Sequence, residues 1–431
     1  MTGTLEIRGD DYFNLLTKLG NAGSDKSMST GFSAGPELTH QQAEQLYEAE
    51  SLAARIVDRP VDDATREPFT LAGADKAFDW AGLASELEDH DVVNSLADAW
   101  RWARLYGGAL AILNVEDGCK PHEKLDLSRA KKLRSIEVVE APYATPASHI
   151  SDLRNRGFAR PRAYTISTYG SNVGQIHHSR VIRFDAYKLP PNRMLRRYGW
   201  APSVLNRVWR ELRRLGSSMG YAENILHELS VMVLRMKGFR EMAAGDERSK
   251  EELGKAMHAM RMAVDILHAM VLDADDEYVE STRSVAGLDA LLGRFVDAMV
   301  RATDMPRTIL LGEQPSGLNA DAAAEVRGWY DHVATQQQKV LTPALSRVID
   351  VILRLRGNRG AQVPTSWTID HAPLWQPSEK EQAETRAMNA QADIAYVDRG
   401  VLSSDEVRGR LRAAGELTGA APLLEEDEYG T

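Results

Sequence analysis

Several stretches of this sequence group side chains that could act on a substrate or hold an ion. Asp62, Asp63, Arg66 and Glu67 crowd together just after Arg59-Pro60. Paired carboxylates can exchange protons or bind divalent cations, but here they follow an expected helix end and are read as solvated charges. His177-His178 offers two imidazoles. Adjacent residues on a strand face opposite ways, so this pair is expected to chelate poorly. The run Asp273, Asp275, Asp276 and Glu277 has the oxygens of a calcium site without its loop, which needs a central glycine and a terminal bidentate glutamate. Gly107-Gly108 could turn backbone N–H groups toward a phosphate, yet neither G-x-G-x-x-G nor G-K-[ST] accompanies it.

Nucleophilic chemistry has less support still. There is no G-x-S-x-G elbow and no coherent Ser/His/Asp constellation. Cys119 is the single cysteine of the chain, which excludes an internal disulfide framework and any multi-cysteine zinc site. The expectation is a protein that is not an enzyme, with no catalytic residue, no metal and no cofactor. One basic element remains. Arg207, Arg210, Arg213 and Arg214 alternate with Val204, Val208, Leu212 and Leu215 on an expected helix. Such a face can meet phosphates, but no helix-turn-helix partner is evident. An exposed or interfacial basic face, pairing with acidic neighbours, is expected.

The 431 residues suffice for two or three domains, and 43% hydrophobic with 26% charged residues is ordinary for a folded protein. A formal net charge of −10 disfavours non-specific nucleic-acid binding by the surface as a whole. No apolar run approaches the roughly 18 residues that span a bilayer, and no signal-peptide core opens the chain. No membrane partner is expected.

The elements that must position these groups are mostly helical. Residues 1–37 are rich in Gly and Ser and are expected to be flexible. Thr39 should cap a helix from Gln41 to Val57 that ends by Arg59-Pro60. Two helices follow between Trp80 and Tyr106, then the strand ALAILNV and an antiparallel sheet over residues 121–190. A long helix from about Ser203 to Leu229 leads to a small αβ insertion, roughly 231–281. Its parts are a strand at Val231–Met236, a capped helix at Ser249–Met262, and strands at Ala269–Leu272 and Tyr278–Glu280. Beyond Arg356 come a linker, the short strand SWTID, a polar helix at Glu379–Val397, another helix through Leu411 capped by Ser403/Ser404 before Glu406, and an acidic tail.

Residues 285–355 organise the chain. Leu288, Leu291, Leu292, Phe295, Val296, Met299 and Val300 mark one buried helical stripe. Met305-Pro306 interrupts it. The loop Gly312-Glu313-Gln314-Pro315-Ser316-Gly317-Leu318-Asn319 follows, and Asn319 can cap a second helix. That helix carries Val326, Trp329, Tyr330, Val333, Val340, Leu341, Leu345, Val348, Ile349 and Ile352 on one side and should bend at Pro343.

The strings MPRTILLGEQPSGLNAD and WYDHVATQQQKVLTPALSRVI resemble the tunnel-loop region of tailed-phage portal proteins. AARIVDRPVDDATREPFTL, WARLYGGALAILNVEDG, HHSRVIRFDAYKLP and LWQPSEKEQAETRAMNAQAD are similar to blocks of a portal-like family also found in prophages, in the same order. The sequence departs after GLNA, where Asp321-Ala322-Ala323-Ala324-Glu325 stands in place of the Thr-Gly-Glu common there.

The resemblance implies an α+β, mainly helical portal-type fold. In the order of this chain it implies a flexible segment (1–37), an N-terminal α/β wing part (38–202) and a first stem helix (203–230). An αβ clip (231–281) and a second stem helix (282–305) follow. Last come a tunnel loop with kinked helix (306–356) and a C-terminal wing or crown part with the acidic tail (357–431). Subunits would form a homo-oligomeric ring, commonly of about twelve, at one capsid vertex of the virion, assembled in the host cytoplasm. Double-stranded DNA would pass through during packaging and ejection without tight sequence-specific binding. Glu313, Gln314, Pro315, Ser316, Gly317, Leu318 and Asn319 would line the channel. Asp273, Asp275, Asp276 and Glu277 would dock the packaging terminase, and a major capsid protein or scaffold and a head–tail adaptor would be further partners. Two rivals stay open: a prophage-encoded DNA-binding regulator resting on the arginine helix, and a nuclease or phosphodiesterase resting on scattered His and Asp.

Overall fold

The structure is a computed structural model and describes residues 37–413, except 74, 76, 155–157, 159, 169–170, 229–231, 237–245, 247–268, 274–287, 313–319 and 376–378. The chain divides into two compact units, one ending at Asp370 and the other beginning at His371.

The first unit opens with helices α1 (His40–Ala49) and α2 (Ser51–Thr65) and strand β1 (Phe69–Gly73). Helices α3 (Trp80–Asp89) and α4 (Val92–Tyr106) follow, then strands β2 (Gly108–Glu116), β3 (Lys132–Glu140), β4 (Ala144–His149), β5 (Pro161–Thr168), β6 (Ser171–His177) and β7 (Val181–Asp185). Next come α5 (Pro191–Leu195), the long α6 (Leu205–Glu228), β8 (Met232–Met236), β9 (Ala269–Asp273), α7 (Leu288–Thr303) and α8 (Arg307–Leu311). Helix α9 (Ala320–Gln336) runs through a π-helical turn (Gln337–Leu341) into α10 (Thr342–Asn358), and β10 (Trp367–His371) pairs with β1.

Two three-stranded antiparallel sheets, ordered β3-β2-β7 and β4-β5-β6, hold six of the strands among the described residues. β2 is central in the first, and α4 packs against it. Leu110, Val139, Ala141, Ala144, Tyr164, Ile166, Ile176 and Trp200 form one buried cluster that joins both sheets. This cluster explains Gly107-Gly108. A Cβ on Gly108 would sit 2.0 Å from the Trp200 ring, and Gly107 has φ +94° with its N–H taken by Ala103 O at 2.8 Å. Gly108 admits the Trp200 ring and Gly107 the Ala201 carbonyl, which a Cβ would meet at 1.8 Å, and the Gly107 N–H is spent on closing α4.

Several expectations are corrected. The helix drawn from Gln41 to Val57 is two helices, broken at Glu50, and the second runs through Pro60 to Thr65. Thr39 does cap the first: its Oγ1 accepts from Gln42 N–H at 3.2 Å while Gln42 Oε1 accepts from Thr39 N–H at 3.0 Å. Leu291, placed on the buried stripe of α7, is 48% exposed, whereas Val296 and Met299 are buried. Where a bend is expected at Pro343, the α-helical ladder changes just before it. Proline removes the N–H that would bond Lys339 O and crowds that carbonyl, and the ladder widens into a π turn. Thr342 sends both its N–H and its Oγ1–H to Gln337 O. β8 and β9 exist as expected and pair in parallel. The expected helix at Ser249–Met262 and strand at Tyr278–Glu280 lie outside the described residues.

The second unit holds α11 (Glu379–Asp398) and α12 (Ser404–Ala413). Ser403 and Glu406 form a reciprocal cap on α12, and Arg410 pairs with the buried Asp393 of α11.

Candidate functional site

Helix α2 is where the described chain converges. Ala53, Ile56, Val57, Pro60, Val61 and Ala64 recur at helical spacing and are all buried, as one face of an amphipathic helix must be. Pro60 sits on that face and leaves Ile56 O without its ladder partner. Arg104 of α4 supplies the missing donor: Nη2 reaches Ile56 O at 2.7 Å and Nε reaches Val57 O at 2.9 Å. Burial lowers the Arg104 guanidinium to about 10, which still leaves it charged at neutral pH.

The carboxylates after Pro60 part company. Asp62 stays exposed and pairs with Arg101 at 2.7 Å, beside Asp58 and Asp98 on the same guanidinium. Tyr47 donates to Asp58 at 3.0 Å, and burial, then the Asp58 charge, pushes its phenol up to about 12. Asp63 is buried, contrary to the solvated reading. Its Oδ2 accepts from Arg59 Nε at 2.9 Å and from Trp329 Nε1 at 2.7 Å. One residue on, Ala64 O accepts from Gln337 Nε2 at 2.7 Å, at the start of the π turn. Arg66 lies over the Tyr330 ring, 5.2 Å from its centroid, and donates to its hydroxyl at 3.2 Å. Each of these carboxylates is paired with an arginine, and Asp63 with an indole N–H as well. The contacts of Asp63, Ala64 and Arg66 fasten α9 and the π turn onto the end of α2.

The same helix holds the other side of the 313–319 segment. Arg55 Nη1 donates to Leu310 O at 3.2 Å, near the end of α8. Gly312 closes that helix at φ +72°, and a Cβ there would lie 3.0 Å from Arg55 Nη1. Both helices flanking the segment are therefore tied to α2, which also packs against α6. Helices α6 and α7 lie side by side, and a groove of about 370 Å³ beside them is lined by Arg210, Arg213, Arg214, Ser217, Ser218 and Phe295. Arg214 pairs with Glu211 at 3.6 Å, while Arg207 instead stacks on Tyr187, 3.7 Å from the ring centroid.

Of the residues expected to face DNA, Glu313 to Asn319 lie outside the described residues, as do Asp275, Asp276 and Glu277. Asp273 is the last residue of β9. His177 and His178 are not successive strand residues. β6 ends at His177 and His178 begins a short 3-10 turn, so their rings approach to 4.3 Å between centroids. Sequence reasoning missed the α2 clamp. The available signal was a proline inside an otherwise well-patterned helix, with Arg and Asp spaced i, i+4 across it.

Fold and site together define a mainly helical α+β scaffold whose α2 packs against α6 and is tied to α8 and α9. Among the described residues, no helix is long and apolar enough to cross a membrane. The chain belongs to the phage portal protein family, whose model matches residues 41–395. Curated relatives include an anti-CBASS protein Acb1 from Caulobacter sp. (strain RHG1), 27% identical over 98% of this chain and 69% of that protein. An anti-CBASS protein Acb1 from Sphingomonas paeninsulae is 25% identical, and this chain spans 66% of its length. An uncharacterized protein of Haemophilus influenzae is 25% identical over 94% of this chain and 90% of its own. Among solved structures, a chain from the neck of an empty gene transfer agent particle aligns over 88% of this chain and 95% of its own, with TM-score 0.45 and 13% identity.

Proposed function

We propose that this chain is the subunit of a ring at the unique capsid vertex, through which double-stranded DNA is packaged, retained and ejected. The observation that carries this is the bracing of both flanks of Glu313–Asn319 by α2, in a chain of the portal family. In this reading residues 313–319 change shape while the helices on either side stay tied to α2. Gly312 and Gly317 permit such changes and Pro315 limits their range. Glu313 is the one charged residue of the segment and repels phosphate, so contact with DNA would be steric. That suits a conduit, since every neutralised phosphate adds affinity through counterion release and would slow passage.

In this reading the packaging terminase hydrolyses ATP and docks near Asp273–Glu277, a capsid protein or scaffold surrounds the ring, and a head–tail adaptor binds after packaging. The chain itself catalyses nothing and requires no cofactor. Electron microscopy of the purified full chain tests the core of the proposal. Closed rings with a central channel are expected; a monodisperse monomer at micromolar concentration in every salt tried would sink it.

A second reading follows from the names of the Caulobacter and Sphingomonas relatives. An anti-CBASS role reaches this chain only if it resides in the part that those proteins share with it. Assaying CBASS function with and without this chain decides the matter, and no effect is expected.

A further inference from the structure

The turn that ends β6 gathers positive groups from four parts of the chain. Ala163 of β5 pairs with His177, which sets Arg162 beside the His177-His178 step. The loop before β3 crosses the same turn. Leu125 N–H donates to Ser179 Oγ at 2.8 Å, one residue from Lys124, and His177 N–H donates to Pro121 O at 2.9 Å. From α10, Arg347 Nη2 reaches Ser179 O at 3.0 Å. Lys124, Arg162, His177, His178 and Arg347 thus surround one residue, Ser179.

Among the described residues, no carboxylate pairs with Lys124, Arg162 or Arg347. Arg180, next in sequence, is buried and spends its charge on Asp117 at 2.6 Å, while Glu123 offers it a backbone carbonyl at 3.0 Å. The Glu123 carboxylate accepts from Lys120 N–H. Among the described residues, neither Lys124 nor Arg162 makes an ion pair, and both are exposed. The charges that act on His178 are Arg162, Arg347 and Lys124, all of one sign, and after burial they push its imidazole below the usual value. A metal cation would meet the same repulsion. Like charges gathered without a counter-charge cost free energy, which an anion from solution offsets.

The imidazoles add donors to the charge. His177 Nδ1 accepts from Ser179 N–H at 3.2 Å, so a neutral ring carries its proton on Nε2. Ammonium, guanidinium and imidazole donors arriving from separate elements suit a tetrahedral anion with several oxygens better than a planar carboxylate met by one guanidinium fork.

We propose that Lys124, Arg162, His177, His178 and Arg347 form a binding site for a phosphate group, either free or in the backbone of a nucleic acid. The site lies on the β4-β5-β6 edge and the face of α10, includes no residue of the 313–319 segment, and does not depend on the conduit reading.

The test uses the full chain, inorganic phosphate by calorimetry, and a labelled 20-base-pair duplex by anisotropy at low salt. The variants are Lys124→Gln with Arg162→Gln, both exposed positions, and Arg213→Gln in the α6 groove as a control. Losing two charge-assisted contacts should weaken phosphate binding about tenfold or more, with Arg213→Gln unchanged. If the duplex also weakens and its log–log salt slope falls by roughly two, the phosphate belongs to nucleic acid. If phosphate alone weakens, the ligand is a small phosphate. Equal phosphate affinity in wild type and variant, with both folded by circular dichroism, overturns the site. So does a variant that binds phosphate normally but fails to assemble, because the cluster then meets carboxylates of a second copy. Absence of rings in wild type would end the conduit proposal and leave this result standing.

Discussion

Trp329 donates its indole N–H to Asp63 Oδ2 at 2.7 Å, joining residues 266 positions apart in a place where both are buried. A carboxylate out of water needs every partner it has. Arg59 covers the same oxygen from one side, and the indole N–H completes it. Trp329→Phe keeps most of the packing and deletes that donor. It should cost about 1–3 kcal/mol of stability by denaturant unfolding. Asp63→Ala should cost more, about 3–5 kcal/mol, because Arg59 and the indole N–H both lose an acceptor. In the double variant the two losses should overlap by at least about 1 kcal/mol. Simple additivity would show that the contact does not hold α9 to α2.

The Pro60–Arg104 relationship gives a second cycle. Arg104→Met removes the donor that reaches Ile56 O and Val57 O, leaving Ile56 O with no donor and Val57 O with its helical one alone, at a cost of about 1–3 kcal/mol. Pro60→Ala restores the N–H that the helix lacks at Ile56 O. In the Pro60→Ala background, Arg104→Met should therefore cost at least about 1 kcal/mol less. Calorimetric melting of the four proteins measures this. An equal cost in both backgrounds would mean that Arg104 serves packing alone.

Much of this architecture could be read from the sequence, for reasons that differ by element. The helices α4, α6, α7 and α10 carry apolar stripes long enough to declare their period, β2 is a short apolar run, and β5 and β7 are rich in β-branched residues between turn residues. The clamp on α2 was hidden because a buried Asp63 looks, in one dimension, like its exposed neighbour Asp62. Only the distant Trp329 and the nearby Arg59 make its burial tolerable. His177-His178 misled for the opposite reason. The strand rule was sound, but β6 stops between the two residues. Leu291 shows that an apolar stripe can be wider than the partner that covers it, and Pro343 that a ladder can absorb a proline by widening rather than by breaking.

His177 and His178 set a sign for stability against pH. Both imidazoles are held below 6.5, first by burial and then by the cations around them. The unfolded chain therefore takes up these protons before the folded chain does. Stability from this source is fully present above about pH 6.5 and is lost as pH falls below it. The melting temperature should drop between about pH 7 and pH 5.5, and sulfate, which keeps its charge over that range, should reduce the drop. His177→Gln with His178→Gln should flatten both effects. A double variant with the wild-type pH profile would assign the loss to other groups.

The last prediction concerns the segment that α2 braces. If Glu313–Asn319 narrows a channel sterically, shortening it and charging it should have different effects. Deleting residues 314–317 removes the constriction but leaves Arg55, Gly312, Asp63 and Trp329 in place, so rings should form at wild-type yield while less genome is retained after packaging. Replacing Gln314 and Ser316 with Lys keeps the length and adds two cations per subunit, which a ring multiplies around one duplex. Each would take up phosphate contacts, and translocation should slow most at low salt, where counterion release contributes most. The same substitutions at high salt should approach wild-type rates. Packaging rate at two ionic strengths, and DNA content of filled particles, are the measurements. Wild-type values for both variants would remove these residues from the channel, whereas failure of the deletion to assemble would place the segment in a subunit contact.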